Sequence, residues 1–364
     1  MARRYKGIYK RKDGRFEGRC LLDGKPKSVY GHSPAEAKAK LDAYMAGQAV
    51  PKARLNRPKG QSVLWPAVCD AWLDQKKLYL KQSSYAQYSC IMRKHILPYW
   101  GKQNIHGLNS NGANSFIKAL SERLSAKTVR DILNVFFQVV RFAEKKHGIQ
   151  IELEEIARPK AQQGYLPVLS ADEQRRLSVY LRANPNNINV GVFLLLYTGL
   201  RIGELCALQW NDIDLTAQAI SITKTIQRIA DPEPATKAKT KIIIDTPKSR
   251  NSVRQVPVPS FLMGMLSGIQ ANPKSYLLTG ESKPMEPRLF QTKFKKALAS
   301  AKVAETNAHT LRHTFATRAI EQNIDIKSLS EILGHSAVKF TLERYVHSSA
   351  ELKQAGVERL AVYL

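Results

Sequence analysis

Four of the eight histidines, His309, His313, His335 and His347, fall within residues 309–347, a stretch that also holds Arg312, Arg344 and Tyr345. Proton carriers and fixed cations packed so closely along a chain can serve a metal or an anion. His309 and His313 stand at i and i+4, the spacing at which two helical histidines share a zinc ion, but Thr310 occupies the place of the general-base Glu in H-E-x-x-H. His309 and Arg312, at i and i+3, also share a helical face, and a proton-transfer group beside a guanidinium suits a phosphate. Upstream, in TGLRIGE, Gly199 ends an apolar helix, Arg201 opens the next and Glu204 follows one turn on. A buried Arg needs an anionic partner, and Glu204 could hold the guanidinium while leaving donors free for a substrate.

These fragments, in this order, resemble the tyrosine recombinase (phage integrase) family. That family places Arg in T-G-x-R-x-x-E, Lys on a β-hairpin, an H-x-x-R pair, a further His in L-G-H and a nucleophilic Tyr about ten residues later. The chain has Arg201 in TGLRIGE, Lys248 in TPKSRNSVRQVPV, His309 and Arg312 in HTLRH, His335 in LGHS and Tyr345 in TLERYVH. Each fragment alone is weakly specific; six residues in the family order between positions 201 and 345 are a strong signal. The resemblance covers residues 165–350 without a departure at these six positions. Upstream it is looser: SSYAQYSCIMRKHILPYWG looks like the family's core-binding domain, and the N-terminal segment resembles the arm-binding domains of phage and conjugative-transposon integrases.

The resemblance implies that Tyr345 attacks a scissile phosphate to give a 3′-phosphotyrosyl link and a free 5′-hydroxyl. The chemistry of the residues agrees. Breaking a phosphodiester without metal or nucleotide requires cations around a doubly charged phosphorane, a nucleophile, and an acid for the leaving oxygen. Arg201, Arg312 and His335 are the expected stabilisers, with Glu204 buttressing Arg201. Lys248 is expected to protonate the departing oxygen, and His309 to help deprotonate a tyrosine whose ordinary pKa near 10 makes it a poor nucleophile at neutral pH. The covalent link conserves the bond energy, so no cofactor, ATP or metal is expected. Taken singly, the residues have plainer readings. Arg201 could simply pair with Glu204, Lys237, Lys239 and Lys241 are neighbours of Lys248, and Tyr345 could be a core aromatic. His313 reads as a packed or supporting residue and His347 as a surface one.

The expected architecture that positions them is multidomain α+β. Residues 1–47 predict three short strands, Tyr5 to Arg11, Arg15 to Leu22 and Pro26 to Gly31, turned at Asp13-Gly14 and Asp23-Gly24, and a helix begun by Ser33-Pro34-Ala35-Glu36. Residues 48–62 have linker composition. Residues 63–160 predict an all-helical core-binding module with helices at 64–80, 83–97, 110–123 and 125–146, Ser84 and Ser125 capping the second and fourth. Residues 165–364 predict a mainly helical catalytic domain with a small antiparallel sheet: a capping box at Ser170–Glu173, strands at 219–228, 241–245 and 253–258, and helices at 288–303, 309–322, 326–333 and 338–347.

Charge supplies the partner. Lys and Arg number 57 against 30 Asp and Glu, a formal charge of +27, which makes a polyanion the first expectation, nucleic acid ahead of membrane. Residues 1–60 are the densest part. Arg15, Arg19, Lys25 and Lys27, interleaved with Tyr5, Tyr9, Phe16 and Tyr30, suit a sheet face laid in a major groove, and Lys52, Arg54, Arg57 and Lys59 suit a linker tracking the backbone. The four cysteines stand far apart with no C-x-x-C, and the longest apolar run, Val192 to Tyr197, is far shorter than a membrane span, so a protein of the bacterial cytoplasm is expected.

The functional expectation is a site-specific recombinase that integrates and excises a mobile element, clamps double-stranded DNA at core-type and arm-type sites, and works as a homotetramer with an accessory excision or DNA-bending protein. The alternatives are a chromosome or plasmid dimer-resolving recombinase, a type IB topoisomerase-like enzyme, and a catalytically silent DNA-binding regulator.

Overall fold

The computed structural model describes residues 7–11, 14–22, 25–31, 33–46, 63–160, 166–231, 239–247, 250–345 and 357–358. The chain divides into two compact units, Met1–Val63 and Leu64–Leu364.

The first unit is a three-stranded antiparallel sheet, β1 (Ile8–Lys10), β2 (Phe16–Leu22) and β3 (Lys25–Gly31), with the helix α1 (Pro34–Met45) on one face. Side chains alternate across β2, so Gly18 and Cys20 turn toward Ala37 and Leu41 of α1, and Glu17 and Arg19 turn to the other face. Ser33 Oγ accepts the Glu36 backbone N–H, which starts α1 where the sequence places it.

The second unit begins with α2 (Trp65–Lys77) and α3 (Gln82–Ile91). A π-helical turn over Met92–Ile96 joins α3 to the short α4 (Leu97–Trp100), and α5 (Ser110–Ser121) and α6 (Ala126–His147) complete the bundle. The core is aromatic: Trp65 stacks on Trp100 and Phe136, and Phe116 packs against both Trp100 and Phe136. Ser125 caps α6 by accepting the Thr128 N–H, but α3 starts at Lys81 with Ser84 inside its first turn, so the cap expected at Ser84 is not formed.

The remainder is built around α8 (Asn187–Thr198), apolar on every side and buried along its length, with α7 (Ala171–Ala183) beside it. The capping box of α7 forms as expected, Ser170 Oγ accepting the Glu173 N–H while the Glu173 carboxylate accepts the Ser170 N–H. After α9 (Ile202–Ala207) come two small antiparallel sheets. One orders β4 (Ile213–Asp214), β5 (Ala219–Ile222) and β8 (Arg254–Pro257); the other is the hairpin of β6 (Thr225–Ala230) and β7 (Thr240–Asp245). The expected strand at 219–228 is thus two strands in different sheets. The break falls at Thr223 and Lys224, which pair in neither sheet, and the Lys224 side chain reaches Gln209 and Asp212. The chain finishes with α10 (Ser260–Ser267), α11 (Pro287–Ser300), α12 (Ala308–Glu321), α13 (Ile326–Leu333) and α14 (Val338–Tyr345). Helices α12, α11, α10, α9 and α7 all pack on α8, so its C-terminal end is held from several sides.

Candidate active site

Two glycines set the frame. Gly199 ends α8 and Gly334 ends α13, each in the left-handed region (φ 64° and 65°), and carbonyls at both turns accept from arginine side chains of the site. Arg201 follows the first turn and His335 the second.

The two arginines expected to bind phosphate are tied to these turns. Arg312, on α12, donates from Nη1 to the Gly199 carbonyl (2.6 Å) and from Nη2 to the Leu333 carbonyl (2.8 Å), and the same Nη2 lies 3.0 Å from His335 Nε2. A guanidinium only donates, so His335 Nε2 accepts; its Nδ1, 2.8 Å from Thr341 Oγ1, then carries the ring proton and donates it. Arg312 is buried, and this burial, with the neighbouring Arg201 charge, brings it down to about 9; it remains a cation at neutral pH. Arg201 donates from Nη2 to the Gly334 carbonyl (3.1 Å) and from Nη1 to Glu204 Oε1 (2.8 Å), and keeps about a third of its side chain exposed.

Glu204 is the anionic centre. Its carboxylate accepts the Arg201 backbone N–H (2.9 Å) and side chain, and a bidentate pair from Arg254 at 3.1 and 3.0 Å. Burial pushes the carboxyl up, but hydrogen bonds and charge from Arg254, with the charge of Arg201, outweigh it and hold the group below the usual carboxylate range. Arg254 is itself almost wholly buried, and its remaining donors go to the Ile332 and Ser252 carbonyls. The sequence reading passed over Arg254; its signal was the Arg in SVRQVPV, whose partner lies fifty residues upstream.

Tyr345 closes the site at the end of α14. Its ring lies parallel to that of His335 (centroids 6.4 Å apart, 2° between planes), it is 8% exposed, and its hydroxyl is 2.7 Å from His313 Nδ1. His309 sits in the first turn of α12, exposed. The structure therefore brings Arg201, Glu204, Arg312, His335 and Tyr345 together, with Arg254 and His313 added. Lys248 and His347 lie outside the described residues, although the hairpin strand before Lys248 and the segment after it both reach the site. Ser252 Oγ lies 3.4 Å from the Gly334 carbonyl. Among the described residues, no group of three or more His, Cys, Asp or Glu could hold a metal ion.

The site opens into a cleft of about 880 Å³, with Lys81, Gln87 and His95 on the helical-bundle side and Arg201, Gln227 and His335 on the other. Lys81 Nζ crosses it to donate to the Thr246 and Pro247 carbonyls (2.7 and 3.1 Å), immediately before Lys248.

Of the candidate DNA contacts in the first unit, Arg19 is tied to Glu17 (2.9 Å), which also accepts from Arg11 (3.2 Å). Hydrogen bonds from Arg19 and Ser28 hold the Glu17 carboxyl down to about 2. In register, Glu17 lies opposite Tyr9 on one side and Tyr30 on the other, and the guanidinium groups of Arg11 and Arg15 lie 5.5 and 5.6 Å from the centre of the Tyr30 ring. Lys27 is exposed. Tyr5, the Lys25 side chain, Lys52, Arg54, Arg57 and Lys59 lie outside the described residues.

Comparison with known proteins gives a consistent set. Residues 167–351 match the phage integrase family, and residues 66–121 match the phage integrase N-terminal SAM-like domain. A tyrosine recombinase XerC-like protein of Caldanaerobacter subterraneus subsp. tengcongensis is 26% identical over 367 residues, covering 92% of this chain and 91% of the relative. The ICEBs1 integrase of Bacillus subtilis is 24% identical over 304 residues, 79% of this chain and 80% of its own. Among solved structures, the Tn1549 transposon integrase in complex with transposon right end DNA superposes with a TM-score of 0.64 at 23% identity, covering 81% of this chain and 99% of that one. A lambda integrase tetramer bound to a Holliday junction gives 0.54 at 16% identity, with 95% and 98% covered.

Proposed function

The chain belongs to the phage integrase family and is a tyrosine-type site-specific DNA recombinase, and from that premise we propose the roles of its residues and domains. The observation that carries the reading is the convergence of Arg201, Arg312 and His335 on one face beside the Tyr345 ring. Arg201 and Arg312 take two oxygens of the scissile phosphate, and His335, neutral and oriented by Thr341, lies beside them. Each guanidinium is fixed by backbone carbonyls before DNA arrives, so little reorganisation is needed as charge develops. Tyr345 is the nucleophile and forms the 3′-phosphotyrosyl bond. Lys248 gives its proton to the departing 5′ oxygen, and His309, at the exposed start of α12, assists proton transfer.

The protein integrates and excises DNA by strand cleavage and rejoining. The relatives support a mobile-element role: one is an integrase, and the Tn1549 structure is that of a transposon integrase. The helical bundle, residues 63–160, and the catalytic half, residues 165–364, clamp the core-type site. The sheet of residues 1–47, through Arg15, Arg19, Lys25 and Lys27, holds a distal arm-type site, and Lys52, Arg54, Arg57 and Lys59 follow the backbone between. The active assembly is a homotetramer on two duplexes, as supported by the lambda integrase tetramer on a Holliday junction, and an accessory excision or DNA-bending protein sets direction. The protein acts on DNA in the bacterial cytoplasm; among the described residues no helix is long and apolar enough to cross a membrane.

Strand exchange between two labelled duplexes carrying the element's ends tests this reading. Recombinant products of both strands are expected. Relaxation of supercoiled DNA without exchange points instead to topoisomerase-like activity. Removing residues 1–60 is expected to abolish arm-site binding and leave cleavage of short core sites largely intact; loss of core cleavage with it contradicts the domain division.

A further inference from the structure

His313 is the residue of the site whose position phosphate binding does not explain. It follows Arg312 on α12 and lies one turn beyond His309, so its ring leaves the helix on the side that faces α14. There its Nδ1 meets the Tyr345 hydroxyl at 2.7 Å, with ring centroids 5.7 Å apart and 47° between planes. The tyrosine ring is held in place by Ala316, Ala319, Leu329 and Leu333 and by the His335 ring parallel to it. The other basic groups nearby are committed elsewhere. Arg312 donates to two carbonyls, and His335 uses Nε2 to accept from Arg312 and Nδ1 to donate to Thr341.

Resting on the reading of Tyr345 as nucleophile, we infer that His313 is the base that takes the phenolic proton of Tyr345 within the same chain. A tyrosine of ordinary pKa near 10 is ionised to about one part in a thousand at pH 7. An imidazole already in hydrogen-bond contact with the hydroxyl, of the side-chain type suited to proton transfer near neutral pH, removes that limitation and contributes about 10²–10⁴ in rate. The step balances. The Tyr345 O–H proton passes to His313 Nδ1, the phenolic oxygen forms its bond to phosphorus, the bond from phosphorus to the 5′ oxygen breaks, and that oxygen takes the Lys248 proton. On rejoining, the 5′-hydroxyl attacks, Lys248 recovers its proton and the His313 imidazolium returns its own to the tyrosine.

Charged and titratable groups reach the surroundings of His313 from each element packed against α12. Tyr345 from α14, His335 from the turn before it, and Arg312 and His309 on α12 itself surround it. From α13 come Lys327 and Glu331, both exposed, and α14 adds exposed Lys339. Helix α8, packed on the other side of α12, contributes no Asp, Glu, Lys, Arg or His, Tyr197 being its one titratable side chain.

The test is the single-turnover rate of covalent complex formation by the full chain on a nicked suicide duplex, followed from pH 5.5 to 9.5. Wild type is expected to rise through the imidazole range and then level. His313→Gln is expected to be about 10²-fold slower at pH 7 and to keep rising about tenfold per pH unit toward the tyrosine range, with DNA affinity unchanged. His313→Ala, should the Gln variant fold poorly, is expected to recover rate with added imidazole in proportion to its unprotonated form. A His313→Gln protein with the wild-type rate and profile overturns the inference, as does one slowed equally at every pH and deaf to imidazole, which marks a structural role. Loss of the imidazole break in His309→Gln with its retention in His313→Gln also overturns it and makes His309 the base. A covalent complex surviving Tyr345→Phe fails at an earlier point, the identity of the nucleophile, and is read separately.

Discussion

The recombinase uses arginines in two opposite ways. In the active site Arg201, Arg254 and Arg312 are buried or half-buried, and each is held by carbonyls of helix ends or by one carboxylate, Glu204. On the N-terminal sheet Arg11, Arg15 and Arg19 lie at the surface, with Glu17 and the Tyr30 ring as their fixed points. The difference follows from solvation. A guanidinium removed from water must have its hydrogen bonds replaced, so its geometry is fixed before substrate binds. One at the surface keeps water as its partner and is only steered. The first arrangement suits recognition of one phosphate during a reaction; the second suits a groove whose phosphates and bases vary in position.

The sharpest break in this comparison is Arg312→Ala. It removes a proposed phosphate donor and takes the Arg312 hydrogen bonds from the Gly199 and Leu333 carbonyls, and is expected to slow covalent complex formation by about 10³-fold while core-site affinity changes little, as read in single-turnover cleavage beside a binding titration. Next comes Glu204→Gln. With the carboxylate gone, Arg254 is a buried charge without an anion, and urea unfolding is expected to show a loss of about 3–5 kcal/mol. The sign with pH follows from the depressed folded-state pKa of Glu204. Its contribution is complete above the unfolded-state carboxylate value near 4.5 and is lost as pH falls through the lower folded value, so wild type is expected to lose its advantage over Glu204→Gln only in acid. Arg254→Lys keeps the charge but not the two-pronged contact, and is expected to destabilise by about 2 kcal/mol with cleavage impaired less than in Arg312→Ala.

Much of the site was legible because its signals are local. The intervals of three in T-G-L-R-I-G-E and H-T-L-R, and the ten residues from His335 to Tyr345, are properties of single helices and of the turn between two of them. Arg254 and the contact of His313 were not legible, since each depends on how separate elements approach: β8 on α9, and α12 on α14. The fold shows the same division. Ser170 and Ser125 cap as their neighbours dictate, whereas Ser84 does not, because α3 begins earlier, from Lys81, whose side chain is drawn across the cleft to Thr246. Residues 219–228 keep one alternation, with Ile220, Ile222 and Ile226 buried, and its single lapse is Lys224 between Ile222 and Ile226; one polar residue in an alternating run does not by itself separate a strand that changes sheets from one that continues.

The surface side of the comparison yields the smallest effects. Arg19→Ala is expected to lower arm-site affinity a few-fold and reduce its dependence on salt by about one charge, seen by titrating at several salt concentrations. Glu17, held at about 2, stays ionised in mild acid, so the positions of Arg11 and Arg19 are expected to persist to pH 4, checked by the same titration at that pH.

The arginine-framed pocket is proposed to deliver Tyr345 to a phosphate. The measurement that tests this most directly is incubation of the full chain, in EDTA, with a labelled, nicked suicide duplex carrying the element's end, comparing wild type with Tyr345→Phe on denaturing gels. A covalent protein–DNA band in wild type that is absent from Tyr345→Phe is the predicted result. A band of equal intensity in both proteins, or none from wild type on DNA it demonstrably binds, contradicts the account.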